Sequence, residues 1–278
     1  MASFVNKCKK IIFSDEYPSC WPINQWASYE RQAITEADLI VVPDSNRFYG
    51  LAREVPLNTS HKHVQSLNLS AKIRSECNIP RERWHSLLGV PIGDKIILFF
   101  GGIGSHNMID EILKTYDSWP LDYHLVIRGN SPFQRPFLDK LVSAHCQRKP
   151  ICITHEIEPE SLDQLITQSS CTLALYRDTG KNMTEMGLSS GKILRSVYLG
   201  TPVITSDFDS LKYVSSHGLG LCIPTTESLV ASMHSIIGSQ HDYQYSCLAF
   251  ANKHLDISGS IVQCLDAVKN ARPRCGGV

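Results

Sequence analysis

The sequence reads SSGKIL over residues 189–194 and GTPVI over residues 200–204. A serine- and glycine-containing turn before an apolar segment predicts a helix start, and Gly200 with Pro202 predicts its end before a short strand. The start of a helix offers backbone N–H groups without intrahelical partners and the positive end of the macrodipole, to which Lys192 adds a cation. This combination predicts an anion-binding element beside a sheet, as is typical of sites for phosphorylated ligands.

A second cation, Arg195, follows Lys192 by three positions, so both are expected on one face of the same helix. Two cations near a helix N-terminus oppose the macrodipole unless an anion neutralises them, which favours a binding site. A capped helix with a solvated lysine would account for the same residues, and this alternative stays open.

Strand-like and helix-like segments alternate along the chain, which predicts an α/β protein with a parallel sheet. Six strands, each followed by a crossover segment, are predicted near residues 96–100, 124–127, 151–153, 172–176, 202–205 and 220–223. We therefore predict one complete, doubly wound, Rossmann-like domain, whose ligand binds outside the carboxyl ends of the strands.

The residues before this domain predict a second, partial α/β domain. A helix is expected over 21–38, with Trp26, Tyr29, Ala33 and Ala37 near one face, followed by a strand at 39–42. Asp44 or Ser45 is expected to cap a further helix, and another short strand is expected near 63–67. We divide the chain into residues 1–92 (partial N-terminal domain and linker), 93–240 (Rossmann-like domain) and 241–278 (helical segment and tail).

The composition excludes several classes of protein. Lys and Arg number 27, as do Asp and Glu, so the formal net charge is zero and we predict no nucleic-acid partner. The ten cysteines contain no C-x-x-C pair, which argues against a zinc knuckle or a thioredoxin-like motif. The longest apolar runs are too short to span a bilayer, and we expect a cytoplasmic protein.

A glycine-rich turn follows the first strand of the Rossmann-like domain at residues 101–104, with glycine at 101, 102 and 104. As a dinucleotide fingerprint it is incomplete, because Asn107 stands where the third glycine is expected. The next strand ends in Arg128, which would suit a 2′-phosphate, so an NADP-dependent oxidoreductase remains an alternative. A Walker A loop is excluded, because Gly187 and Gly191 are too close and Ile193 replaces the required Ser or Thr.

Two other polar groups follow predicted strands. Asp207 and Asp209 form a D-x-D pattern that could bind a metal, but Asp209 or Ser210 would equally cap the next helix. We predict no metal site. His155 follows another strand and is a candidate for lining the same crevice.

Taken together, these motifs resemble the donor-binding half of GT-B glycosyltransferases, in particular the large retaining group called family 4 or group-1 type. Residues 190–206 are similar to the family segment S-x-N-K-x-x-E-x-x-x-x-G-x-P-V-I, and residues 100–103 match its glycine-rich turn. Residues 36–43 are similar to the end of the family's N-terminal domain. The resemblance covers roughly residues 30–240.

The resemblance implies that a nucleotide-diphosphate sugar binds in the cleft of a GT-B fold and donates a hexose without a cofactor or metal. Lys192 and Arg128 would be the catalytic cations that stabilise the departing diphosphate. The remaining donor contacts implied by the resemblance and the turns are Gly101, Gly102, Ile103, His155, Ser189, Ser190, Gly191 and Arg195. The acceptor is unknown and could be a glycan, a lipid-linked glycan or a small molecule.

The sequence departs from the family pattern in two places. Arg195 stands where the family has a glutamate that accepts hydrogen bonds from the ribose, and a guanidinium only donates. The part before Lys95 is also short for a complete domain. A truncated or degenerate relative that binds without turnover is therefore an alternative, and a partner chain could complete the N-terminal domain.

Overall fold

The computed structural model describes residues 10–14, 17–18, 24–57, 62–67, 69, 82–129, 132–153 and 155–270. The chain groups into two units. The first unit contains Met1–Leu69, Gly180–Ser190 and Asp256–Val278, and the second contains Ser70–Thr179 and Gly191–Leu255. Each unit therefore draws on separate stretches of sequence, whereas the three-part division predicted above is continuous and stays a prediction.

The described part of the first unit is a small α/β layer structure. Its elements are β1 (Ile11–Phe13), α1 (Asn24–Glu36), β2 (Leu39–Val42), α2 (Ser45–Glu54), β3 (Lys62–Gln65), α7 (Lys181–Thr184) and α12 (Ile257–Asn270). The three strands pair in parallel in the order β1-β2-β3. All four residues of β2 are buried, as expected for a strand covered on both faces. Ile40 and Val42 pack on the side of Ile34 and Leu51, and Leu39 and Val41 pack on the side of α12.

Helix α1 buries a different face from the one predicted. Trp26 is 60% exposed and Tyr29 is 61% exposed, whereas Ala27 and Ile34 are buried. Ala27 and Ile34 are seven residues apart and so share a face of the helix, and Ile34 packs in the same cluster as Ile40. The predicted face of large aromatic residues is thus rotated away from the sheet. Residues 21–23, where the helix was expected to begin, lie outside the described residues.

The described part of the second unit is the doubly wound domain predicted from the sequence. Its elements are α3 (Glu82–Leu88), β4 (Lys95–Gly101), α4 (Ile109–Tyr116), β5 (Tyr123–Gly129), α5 (Arg135–His145), β6 (Ile151–Ile153), α6 (Pro159–Gln168), β7 (Cys171–Ala174), α8 (Gly191–Tyr198), β8 (Val203–Ser206), α9 (Tyr213–Ser216), β9 (Gly220–Ile223), α10 (Leu229–Gly238) and α11 (Gln240–His254). The six strands are all parallel, in the order β6-β5-β4-β7-β8-β9. The α/β fold class is therefore confirmed.

Strand β4 lies in the interior of the sheet and contributes side chains to the hydrophobic clusters on its two faces. Ile97 and Phe99 face the cluster that includes Ile112 and Leu125, whereas Ile96 and Leu98 face the cluster that includes Leu165. This alternation follows from the two-residue period of a strand. The strand order reverses between β4 and β7, which is the switch point where doubly wound sheets bind ligands.

Three elements differ from the sequence prediction. Strand β1 was not predicted, and α3 lies in the linker that was expected at the end of residues 1–92. The helical segment expected within 241–278 is two helices, since Leu255 and Asp256 separate α11 from α12. Among the described residues, no helix combines the length and apolar character needed to cross a membrane.

Candidate functional site

Lys192 lies in the first turn of α8 and reaches the carboxyl end of β4. Its Nζ atom is 4.4 Å from the centroid of the Phe99 ring and 5.3 Å from that of Tyr176. Gly101, the last residue of β4, has a φ of +108°, and a Cβ there would lie 3.0 Å from Cε of Lys192. Gly101 therefore provides both a backbone conformation and a space that a larger residue would not. The structure thus brings together two predicted site residues that are far apart in sequence.

Lys192 is partly exposed as a residue, but its side chain is buried enough to affect the charge of its ammonium group. Within the described ranges, no Asp or Glu side chain lies at ion-pair distance from it. Burial lowers the pKa of Lys192 to about 8. A cation that loses water without gaining a counter-ion costs free energy, and an anionic ligand would recover part of that cost. This is the electrostatic signature expected of an anion-binding site.

His106 is a neighbour of Lys192 that the sequence analysis did not single out. Burial lowers the pKa of His106, and the positive charge of Lys192 lowers it further. Both effects favour the neutral form of the His106 side chain. Only its position just after the glycine-rich turn could have indicated it.

The glycine-rich turn is held by side chains from within the second unit. Asn107 donates from Nδ2 to the carbonyl oxygen of Gly102 at 2.7 Å, and Gln134 donates from Nε2 to that of Ile103 at 3.3 Å. Asn107 is fully buried and Ile103 nearly so, whereas Gly101 and Gly102 are partly exposed. Asn107, which stands in place of the third glycine of a dinucleotide fingerprint, therefore fastens the turn.

The side chain of Arg195 contacts α6 and differs in its surroundings from that of Lys192. Its Nε atom donates to Oδ1 of Asp163 in α6 at 2.5 Å, and its Nη2 atom donates to the carbonyl oxygen of Pro159 at 2.8 Å. Burial raises the pKa of Asp163 while Arg195 opposes this rise. The two cations of α8 thus differ in their surroundings, because Arg195 has a carboxylate partner. Its predicted contact with a donor stays a prediction.

Arg128 lies near the carboxyl end of β5, and His155 follows β6 at the same edge of the sheet. Arg128 pairs in register with Phe100, so it shares that face of the sheet, whereas Lys192 lies over Phe99. Burial lowers the pKa of Arg128 and the charge of Arg195 lowers it further, while Glu156 opposes both effects. His155 is exposed. Joint action of Arg128 and Lys192 stays a prediction.

Ser189 and Ser190 immediately precede Gly191 but belong to the first unit. The hydroxyl oxygen of Ser189 accepts a hydrogen bond from Nη2 of Arg47 at 3.3 Å. Ser190 is buried and has an extended backbone, with φ −73° and ψ 94°. Sequence reasoning predicted both serines as donor contacts and did not relate Arg47 to them.

The D-x-D pattern forms local contacts. Asp209 makes an ion pair of 2.7 Å with Lys212, and both side chains are exposed. In the part of the chain that the structure describes, no three His, Cys, Asp or Glu side chains are grouped so as to hold a metal ion. Independence from metal stays a prediction.

Comparison with known proteins finds similarity at the level of structure. No protein-family model matches the sequence, and a sequence search of curated proteins finds no match. Sucrose-phosphate synthase from Thermosynechococcus elongatus is 14% identical with a TM-score of 0.68, covering 92% of this chain and 68% of that one. The glycosyltransferase WaaG, involved in lipopolysaccharide biosynthesis, is 13% identical with a TM-score of 0.66, covering 98% and 76%.

A third solved structure contains a nucleotide. HepE from Anabaena, in complex with UDP and glucose, is 10% identical with a TM-score of 0.72, covering 96% of this chain and 73% of that one. These neighbours are glycosyltransferases of the GT-B fold, and the predicted GT-B-like architecture is confirmed. At these identities the similarity establishes the fold.

Proposed function

We propose that the chain binds a nucleotide-diphosphate sugar and transfers its hexose to an acceptor. The observation that carries the proposal is the desolvated Lys192 ammonium, which lies in the first turn of α8 beside Gly101 and has no carboxylate at ion-pair distance within the described ranges. The position is at the switch point of a doubly wound sheet, where such folds bind their ligands. The UDP and UDP-glucose complexes of HepE make uridine nucleotides the first ligands to test.

In this proposal Lys192 acts on the leaving group. Negative charge grows on the diphosphate as the glycosidic bond breaks, and a nearby ammonium stabilises that charge. The backbone N–H groups at the start of α8 add to this effect because the helix dipole is positive there. The partly exposed backbone at Gly101 and Gly102 leaves room for a ligand to approach closely.

The surroundings of Arg195 favour a second candidate function. Arg195 occupies the position of the family's ribose-binding glutamate, and its side chain is engaged by Asp163 and Pro159. A chain with this arrangement could bind a nucleotide sugar or a partner without turning over. Multiple turnovers of donor by the purified chain would exclude this candidate.

A binding panel tests the proposal. Calorimetric titrations would compare UDP, GDP, ADP, UDP-glucose and NADPH against the wild type, Lys192→Met and the control Lys114→Met. Lys114 is an exposed lysine of α4 that pairs with Glu111, so it controls for the loss of one positive charge. We expect one diphosphate to bind the wild type and the control equally and to bind Lys192→Met at least tenfold more weakly. Selective NADPH binding, or equal affinity in all three proteins, would contradict the proposal.

Turnover is tested separately. Release of free nucleotide from the preferred donor, with and without candidate glycan, lipid-linked glycan or small-molecule acceptors, measures transfer and hydrolysis. Adding EDTA to the same assay tests whether the reaction needs a metal. Tight donor binding with no release of nucleotide would favour the binding protein over the transferase.

A further inference from the structure

Two buried polar residues at the start of α2 hold the segment Gly187–Ser190. The carboxylate of Asp44 accepts the backbone N–H of Arg47 at 2.9 Å through Oδ1, which caps the helix. Its other oxygen, Oδ2, accepts the backbone N–H of Leu188 at 2.7 Å. Gly187 has a φ of +49°, and a Cβ there would lie 2.6 Å from Oδ2 of Asp44, so the approach requires glycine.

Arg47 reaches the same stretch of chain at two points. Its Nη1 atom donates to Oδ1 of Asn182 at 3.1 Å, and its Nη2 atom donates to the hydroxyl oxygen of Ser189 at 3.3 Å. Its guanidinium carbon lies 4.3 Å from the centroid of the Tyr17 ring. The oxygen of Asn182 also accepts the backbone N–H of Tyr17 at 2.7 Å. The fork of Arg47 therefore joins the two ends of the 182–189 stretch.

The guanidinium group of Arg47 is buried without an ion-pair partner among the described residues. The residue is 1% exposed, and its Nε atom is buried without a hydrogen-bond acceptor among the described residues. Across the described ranges, no carboxylate forms an ion pair with it. A buried cation without a carboxylate partner carries a desolvation cost, so packing alone does not account for an arginine at this position.

We propose that Arg47 is a positioning residue, which holds Ser189, and through it the adjoining Ser190, in the conformation in which these two predicted donor contacts bind a diphosphate. The inference rests on the function proposed above, because the two serines directly precede Gly191 and Lys192. Arg47 has no direct role toward the ligand, since its side chain is enclosed by Tyr17, Asn182 and Ser189.

The test compares Arg47→Met, Arg47→Lys and the control Arg53→Met. Arg53 lies on the same helix and contacts the 182–189 stretch through Glu185 at 2.8 Å, but its side chain is 62% exposed. The first measurement is hydrogen–deuterium exchange of the peptides covering 180–190 without ligand. We expect at least tenfold faster exchange in Arg47→Met, with the melting temperature equal to or above that of the wild type, and wild-type exchange in Arg53→Met. Unchanged exchange in Arg47→Met would overturn the positioning role.

The second measurement is the affinity for the nucleoside diphosphate that the wild type binds. We expect affinity to fall at least tenfold in Arg47→Met, to recover partly in Arg47→Lys and to stay unchanged in Arg53→Met. Faster exchange with unchanged affinity would overturn the link between this segment and the site. If the wild type binds no diphosphate while exchange still increases in Arg47→Met, the proposed function fails and the structural role of Arg47 stands.

Discussion

Replacing Lys192 by methionine should stabilise the free protein while removing its ligand affinity. Burial lowers the pKa of Lys192 from its ordinary 10.5 to about 8. At 1.36 kcal/mol per pKa unit, keeping this ammonium charged in the folded state costs about 3 kcal/mol at pH 7. The contacts of Nζ with the rings of Phe99 and Tyr176 return roughly 1 kcal/mol of that cost. We therefore expect Lys192→Met to raise the free energy of unfolding by about 2 kcal/mol.

Urea denaturation at pH 7, without ligand, measures this change, with Lys114→Met as the control. Lys114 is exposed and pairs with Glu111, so its replacement should change stability by no more than about 0.5 kcal/mol. A stabilised variant that no longer binds a diphosphate would show that the protein keeps a destabilising cation for its ligand. A Lys192→Met protein less stable than the wild type, with unchanged affinity, would refute the reasoning.

Four further predictions concern the same region. The affinity for a diphosphate should fall as pH rises above about 8, because free Lys192 then loses its proton; titrations from pH 6.5 to 9.5 would measure it, and a flat profile would contradict it. The stability of the free protein should change in the opposite direction to the affinity. As pH rises from the folded-state pKa of about 8 toward the ordinary 10.5, the free energy of unfolding should increase, because the unfolded state then holds the extra proton. Gly101→Ala should destabilise the protein by about 1–3 kcal/mol and weaken diphosphate binding, because alanine is strained at φ +108° and its Cβ meets Lys192. A thermal melt and a titration would detect the two effects. Wild-type values in both would count against the contact between Gly101 and Lys192. Asp163→Asn should destabilise the protein by about 2–3 kcal/mol, which is below the range for a fully buried ion pair because Arg195 is partly exposed. The same variant should keep its affinity for a diphosphate. A large loss of affinity in the folded variant would place Arg195 in the site.

The sequence was sufficient for those features that depend on local pattern. The alternation of short apolar runs with helical segments predicted the six parallel strands, because a strand buried on both faces reads as a continuous apolar run. The resemblance implied one diphosphate site for Lys192 and the glycine-rich turn, and the structure places Lys192 beside Gly101. Both lie at the edge of the sheet where the carboxyl ends of the parallel strands meet the starts of the following helices.

Features that depend on a specific distant partner were not predictable in this way. Arg195 and Lys192 look alike in sequence, and only the packing of α6 against α8 supplies Asp163 to one of them. Arg47 was read as part of an ordinary helix, because no local pattern relates it to Ser189, 142 residues away. The buried face of α1 was mistaken because the helical spacing of Trp26, Tyr29, Ala33 and Ala37 was taken as the apolar face, whereas Ala27 and Ile34 are the buried residues.

The most direct test is to titrate the Lys192 ammonium itself. Nitrogen-15 NMR of labelled lysine side chains, assigned with Lys192→Met, would give its pKa in the free protein and with the preferred nucleoside diphosphate. We expect a value of about 8 in the free protein and a clear move to higher pH on binding, because the diphosphate stabilises the charged form. An ordinary lysine pKa in the free protein, or the same pKa with and without saturating ligand, would contradict the role assigned to Lys192.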